Sequence, residues 1–335
     1  MWWIWILYLV CIVIVVYASS KLAGIVDELD KKTQLSGAFL GAVLLAGVTS
    51  LPELVTSVTG ALLGEANMTL GNILGSNVFD IAIIGVLMVV FCRHIVNKHL
   101  SKANVLFVVF TLAISVLVLL CMIFDVAVVI PGINVNILTP IIIVLYAVAL
   151  ISTRKSEPKV IDKEKSDIPN KFAKYSVKRL WHEFSLFSLI LVGVSIAITF
   201  LAENIADTYS LGRGLAGALF LGVATSLPEI IASFQLVRLG NLDAAYGDII
   251  GSCLFNFGVI SLADIVFVSG TVFVSDMHSL VLSASLAFAA LSMLIFGIIR
   301  RRGKLLKNSM SVQIISGVLI VCSYIAFLLI STLAI

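Results

Sequence analysis

With 335 residues, 60% of them hydrophobic and only 12% charged, the chain is excluded from the soluble domains, which carry about 25% charged residues. It is an integral membrane protein. The net charge of +3 says little by itself; its distribution along the chain says more.

The chain opens on MWWIWILYLVCIVIVVY, with no basic leader and no convincing cleavage site. This is read as a retained first helix, with Trp2, Trp3 and Trp5 at one membrane interface. A helical span needs about 20 apolar residues. That criterion gives ten: about 3–24, 36–63, 68–91, 103–124, 135–152, 184–203, 213–237, 244–268, 279–299 and 312–334. The fifth is short and follows a turn-like Pro131-Gly132. The expected fold is all-α, a membrane protein of ten transmembrane helices.

The second span contains Val48-Thr49-Ser50-Leu51-Pro52-Glu53, and the seventh contains Ala224-Thr225-Ser226-Leu227-Pro228-Glu229. The offset is 176 residues, and it also carries Gly71 onto Gly247, Gly75 onto Gly251, Ser76 onto Ser252, Phe79 onto Phe255 and Asp80 onto Asn256. The chain is therefore two copies of one five-span unit: residues 1–153, then a linker at 154–179, then 180–335. The linker is charged, with little apolar pattern, and is expected to be a solvated cytoplasmic connector.

Of the 22 basic residues, all but Arg213 fall in loops, or at loop edges, on one side of this layout. The positive-inside rule makes that side cytoplasmic and puts both termini outside, as for a multi-pass protein of the cell (plasma) membrane. Five spans per copy is an odd number, so the second copy enters the membrane inverted. Inverted repeats place cation sites where the repeats meet and suit alternating access.

A carboxylate in hydrocarbon is by default a functional residue. Pro52 and Pro228 remove a backbone donor inside a span and are expected to break the helix. Carbonyls near Ala46, Gly47 and Val48, and near Gly222, Val223 and Ala224, should then lose helical partners. These carbonyls, the hydroxyls of Thr49, Ser50, Thr225 and Ser226, and the carboxylates of Glu53 and Glu229 are hard oxygen donors of the kind calcium takes. Sodium accepts the same types. No histidine or cysteine accompanies the motif in both copies, which argues against zinc or copper.

The following spans read GNILGSNVFD (Gly71–Asp80) and GDIIGSCLFN (Gly247–Asn256). The glycines suit close helix packing. Ser76 with Asp80, and Ser252 with Asn256, are i, i+4 pairs on one helix face. With Glu53 and Glu229 they would give three carboxylates and one amide around a central point. Asn72 and Asp248 are expected to support these ligands from behind.

Duller readings hold elsewhere. Glu65, Asp125, Glu203, Asp207, Asp264 and Asp276 are expected at solvated outer ends of spans. The five cysteines show no ligand spacing and are read as packing residues. His94, His99, His182 and His278 lie near interfaces, with no metalloprotease motif.

The doubled TSLPE helix followed by a GSNxxD/N helix resembles the alpha-repeats of the sodium/calcium exchangers, in the cation/calcium antiporter superfamily. The ten-span inverted layout is similar to its prokaryotic members along the whole chain. The resemblance implies that Glu53 and Glu229 ligate calcium and sodium in turn, helped by Thr49, Ser50, Thr225, Ser226, Ser76 and Ser252. It implies that Asp80 and Asn256 complete the central layer, and that the carbonyls of Ala46 and Gly222 are sodium ligands. It also implies that the first and sixth helices form a gating bundle sliding over the other eight. Proton-driven members typically carry an Asn-Ala-x-Glu motif here, so Thr-Ser-Leu-Pro-Glu in both copies favours sodium. One departure is that Asp80 and Asn256 exchange the order of Asn and Asp in the archaeal pattern. The site charge is unchanged by pseudo-symmetry, while stoichiometry and potassium dependence stay open.

The expected function is a secondary antiporter exchanging about three sodium ions for one calcium, the ratio coming from the resemblance alone. A proton/calcium or other divalent antiporter is the alternative, as is a potassium-dependent sodium/calcium exchanger. A channel fits inverted repeats with broken helices less well. No nucleophile–base pair supports an enzyme. No cofactor and no nucleic-acid partner are expected. The expected partners are the transported calcium and sodium ions and the lipid bilayer, with the chain acting as a monomer.

Overall fold

The computed structural model describes residues 2–95, 101–125, 128–130, 135–155, 170–208, 225–267, 270–273, 277–302 and 310–333. In chain order these form α1 (Trp2–Lys32), α2 (Gly37–Phe39), a π-helical stretch (Leu40–Leu45), α3 (Ala46–Thr49), α4 (Leu51–Leu62), α5 (Ala66–Val90), α6 (Cys92–Ile95) and α7 (Lys102–Ile123). A two-stranded antiparallel ribbon follows, β1 (Val129–Ile130) with β2 (Val135–Asn136). The chain then continues through α8 (Leu138–Lys155), α9 (Val177–Thr208), α10 (Leu227–Arg238), α11 (Leu242–Val266), α12 (Met277–Arg302) and α13 (Met310–Leu333).

Six helices (α1, α5, α7, α9, α11 and α13) are long and apolar enough to cross a membrane. Gly37–Thr49 and Leu51–Leu62 are together long and apolar enough for a seventh, with a bend of 50° where Ser50 separates them. Shorter apolar helices stand at the expected fifth and ninth spans. Only α10 of the expected 213–237 span is described; residues 209–224, Gly222 and Arg213 among them, lie outside the described residues, as do Pro131-Gly132. Large apolar side chains such as Trp2, Leu9, Val13, Leu189 and Leu329 are exposed. Apolar surface on this scale is what a bilayer covers.

The chain packs as two compact units, each built from pieces of both sequence halves. The first comprises Met1–Pro52, Leu100–Asn104 and Thr153–Ser252. Here α1 packs along α9 through Tyr8, Ile198, Ala202 and Ile205. The helix runs past residue 24, where an apolar count stops, because its last turns are held by protein partners. Asp27 accepts from Lys31 Nζ at 2.6 Å, Asn170 Nδ2 at 2.9 Å and Asn241 Nδ2 at 3.1 Å. Lys32 Nζ donates to the carbonyls of Ala173 and Tyr175. The end of the linker is thus not a solvated connector: Phe172 is buried against Gly24, and α9 already begins at Val177. Residues 156–169 lie outside the described residues.

The second unit comprises Glu53–His99, Val105–Ser152 and Cys253–Ile335. In it α5 packs against α12 and α13. A Cβ on either Gly85 or Gly317 would lie 2.7 Å from the other's carbonyl oxygen, so α5 and α13 touch backbone to backbone. Glu65 and Asp125 are exposed, as expected of span ends. Asp264 is the correction: it is fully buried. Its carboxylate accepts from Asn136 N, Thr139 Oγ1, Thr271 Oγ1 and Val272 N at 2.6–3.0 Å. A carboxylate with that many donors is a structural knot, tying the ribbon and the segment after α11 to the end of α11. Glu203, Asp207 and Asp276 have no described side chain. None of the five cysteines is in a disulfide.

Candidate cation site

In both copies the proline begins a new helix. Pro52 and Pro228 sit in the first turns of α4 and α10, where a missing N–H costs nothing. The preceding serines adopt the same irregular backbone, φ −92° and ψ 9° at Ser50 and φ −87° and ψ 8° at Ser226. Glu53 and Glu229 therefore each stand in a helical first turn, where unpaired N–H groups and the helix dipole favour negative charge. Both are 1% exposed.

In the first unit, Thr49, Ser50, Thr225, Ser226, Glu229 and Ser252 are all buried. The Ser50 hydroxyl donates to Glu229 Oε1 at 3.2 Å, bringing the two motifs together. Thr49 Oγ1 also lies within hydrogen-bond reach of the carbonyls of Leu45 and Ala46, at 3.1 Å and 3.3 Å. The Ala46 carbonyl was expected to be free. It keeps the Ser50 N–H at 3.0 Å, because the break falls at Ser50, beyond the reach of that bond. A π-helical stretch, absent from the sequence expectation, precedes the break; such stretches cluster at functional sites. It runs where the backbones of Ala38, Gly41 and Ala42 approach α11. Gly41 abuts the Ala244 carbonyl, and a Cβ on Gly247 would lie 2.5 Å from the Ala38 oxygen. Gly251 abuts Ala42 in the same way. The packing role expected for the motif glycines holds at Gly247 and Gly251.

Within α10 and α11, Ser233 Oγ donates to Asp248 Oδ2 at 3.0 Å. The tight turn at Gly240 makes the two helices an antiparallel hairpin, in whose register Glu229 and Ser252 are each one helical turn on from the bonded Ser233 and Asp248. Glu229 Oε2, Ser226 Oγ, Ser252 Oγ and Asp248 Oδ1 are buried and have no hydrogen-bond partner among the described residues.

The second unit holds Glu53, Ser76, Asp80 and Asn256, all buried. Its α4–α5 hairpin repeats the register: Asn72 Nδ2 donates to Ser57 Oγ at 2.9 Å and to Thr56 Oγ1 at 3.0 Å. Asn77, which sequence reasoning passed over, holds the crossing of α5 and α11. Its Nδ2 donates to the Cys253 carbonyl at 3.2 Å, and Asn256 Nδ2 donates to its Oδ1 at 2.9 Å. Asn77 and Cys253 are themselves related by the 176-residue offset, so the helices of the two repeats cross at equivalent residues. The sequence signal was weak, because this position is only one of several that differ between the two motifs. Asn256 Oδ1 faces away from that bond, buried and without a hydrogen-bond partner among the described residues. No group of three or more His, Cys, Asp or Glu side chains is clustered in metal-ligating geometry among the described residues.

An uncharacterised membrane protein of Methanocaldococcus jannaschii is 25% identical over 256 residues, 75% of this chain and 78% of its own length. The inner membrane protein YrbG of Escherichia coli is 23% identical over 261 residues, 76% of this chain and 77% of its own. The fold matches the solved sodium-calcium exchanger NCX_Mj with a TM-score of 0.69, covering 96% of both chains at 19% identity. The family described as sodium/calcium exchanger protein matches residues 3–153 and 180–333, one match per repeat, and the chain belongs to that family.

Proposed function

We propose that the protein is a secondary antiporter exchanging sodium for calcium across the cell membrane by alternating access. The observation that carries this reading is the set of buried, unpaired oxygens around Glu229. A buried acceptor left without a donor costs free energy, and a dehydrated hard cation supplies what these oxygens lack. The ligands in this reading are Glu53, Glu229, Asp80, Asn256, Thr49, Thr225, Ser50, Ser226, Ser76 and Ser252. The carbonyls of Ala46 and Gly222 would join them for sodium, the former sharing its oxygen with Ser50 and Thr49. Glu53, Glu229 and Asp80 together match either several monovalent ions or one divalent ion, so the two compete for the same oxygens. Competition of that kind is what couples the fluxes. The Thr-Ser-Leu-Pro-Glu motif in both copies supports sodium as the coupling ion. The lopsided basic loops support outside termini and a cytoplasmic linker.

The test is radioactive calcium uptake into vesicles loaded with sodium, with potassium or with acid. Uptake should require internal sodium. Uptake driven by acid alone would make the protein a proton/calcium antiporter, and sodium-driven uptake that also needs potassium would make it a potassium-dependent exchanger. Uptake with no counter-ion would overturn antiport.

A further inference from the structure

One of the differences between the two hairpins is a charge that the function above does not use. Offset by 176 residues, Ser57 and Asn72 of the first copy correspond to Ser233 and Asp248 of the second. Both pairs are joined by a hydrogen bond, at 2.9 Å and 3.0 Å. Asn72 spends its amide hydrogens on Thr56 and Ser57 and carries no charge. Asp248 accepts from Ser233 through Oδ2 alone, and its Oδ1 is left without a hydrogen-bond partner in a fully buried residue. Glu229 stands one helical turn before Ser233 on α10. A buried carboxylate with one empty oxygen, one helical turn from a second carboxylate, is a costly arrangement unless a cation stands by it. Ser252, on the same face of α11 one turn along, and Ser226, beside Glu229 in sequence, add two more unpartnered hydroxyl oxygens.

We propose that Asp248 is a cation ligand in its own right, forming with Glu229 and Ser252 an additional sodium position inside the α10–α11 hairpin that the first copy, with Asn72, lacks. The ion is monovalent because the position adds a single negative charge to the second copy. It is sodium because every unpartnered atom there is a hard oxygen. Asp248 therefore differs in role from Asn72, whose amide is spent on Thr56 and Ser57. The inference rests on the antiport reading, since it shares Glu229 with it.

The experiment compares wild type with Asp248→Asn, which restores the first copy's residue. Sodium-driven calcium uptake should need about tenfold more sodium for half effect, the loss of about one favourable ion contact. The half-effective calcium concentration, measured without sodium, should move less than about threefold. Ser233→Ala keeps the charge and removes its donor; it should shift the sodium requirement in the same assay and guards against a folding defect in the first variant. In detergent, sodium chloride should raise the melting temperature of wild type above that in choline chloride of equal strength, and Asp248→Asn should lose this increment. Identical sodium dependence in wild type and both variants would overturn the proposal. So would equal losses for sodium and calcium, a change confined to the pH profile, or stabilisation by potassium chloride but not sodium chloride. If wild type shows no sodium-driven uptake yet is stabilised by sodium through Asp248, the antiport reading fails and the sodium position stands.

Discussion

At the scale of single residues, the proposed site rests on its carboxylates. Glu53 and Glu229 are almost wholly buried in helical first turns, and glutamine would keep their shape while removing one unit of charge each. Glu53→Gln and Glu229→Gln should each cut calcium uptake by about a hundredfold or more, as expected when a charge partner of a desolvated ion is lost. Surface expression and melting temperature should stay close to wild type; exchange at the wild-type rate in a correctly inserted variant would remove that residue from the site. Asp80 belongs to the other unit from Glu229 and is also buried. Asp80→Asn should weaken the sodium dependence of uptake more than the calcium dependence, measured as the two half-effective concentrations. The glutamates, hydroxyls and Asp80 of the proposed site stand out in the sequence because a repeat singles out polar residues from an apolar background. Asn77 and Asp248 were less legible, because each matters through a partner far away in sequence or through a difference between copies.

At the scale of elements, the broken helices are the informative parts. Pro52 and Pro228 could be read as kinks, but the two serines with matching backbone angles show that each starts a helix. The π-helical stretch before the first break was not legible. It goes with the close approach of α2 and its continuation to α11, a contact between residues about 200 positions apart. Gly251→Ala should lower the melting temperature by several degrees, because the added methyl meets backbone at Ala42 and backbone cannot swing aside. Gly193→Ala, in α9 with nothing within 4 Å of the added methyl among the described residues, should leave stability unchanged or raise it slightly. Equal effects of the two would remove the packing argument. Asp264→Asn turns one of the acceptors of a four-donor knot into a donor facing donors. It should cost about 1–3 kcal/mol, seen as a lower melting temperature with sodium and calcium half-effective concentrations kept.

At the scale of the whole molecule, charge and voltage supply the tests. All basic residues but Arg213 lie on one side of the span layout expected from the sequence, which is the ground for proposing outward termini. Cysteines introduced at Ser156 and Ser269 should report this in intact cells. An impermeant reagent should label Ser269→Cys and not Ser156→Cys, and the reverse pattern would invert the topology. Exchange of three sodium ions for one calcium moves one net charge per cycle, worth about 2.3 kcal/mol per 100 mV. Calcium flux should therefore follow a potential set with potassium and valinomycin. Flux indifferent to voltage would exclude that ratio.

The sequence by itself determined the membrane class, the repeat, the span positions to within a few residues for most helices, and the candidates for the site. Apolar run length, basic-loop bias and internal repetition are local or one-dimensional properties, and a bilayer forces them to be written along the chain. Only the tertiary structure decided which oxygens are already engaged. Ala46 keeps its helical donor, Asp264 is tied off by its donors, and Asn256 has one side of its amide committed to Asn77. It also decided that Asp248 and Glu229 are left with bare oxygens. Hydrogen-bond satisfaction depends on partners brought from distant helices, and no local pattern in the chain records where those partners come to rest.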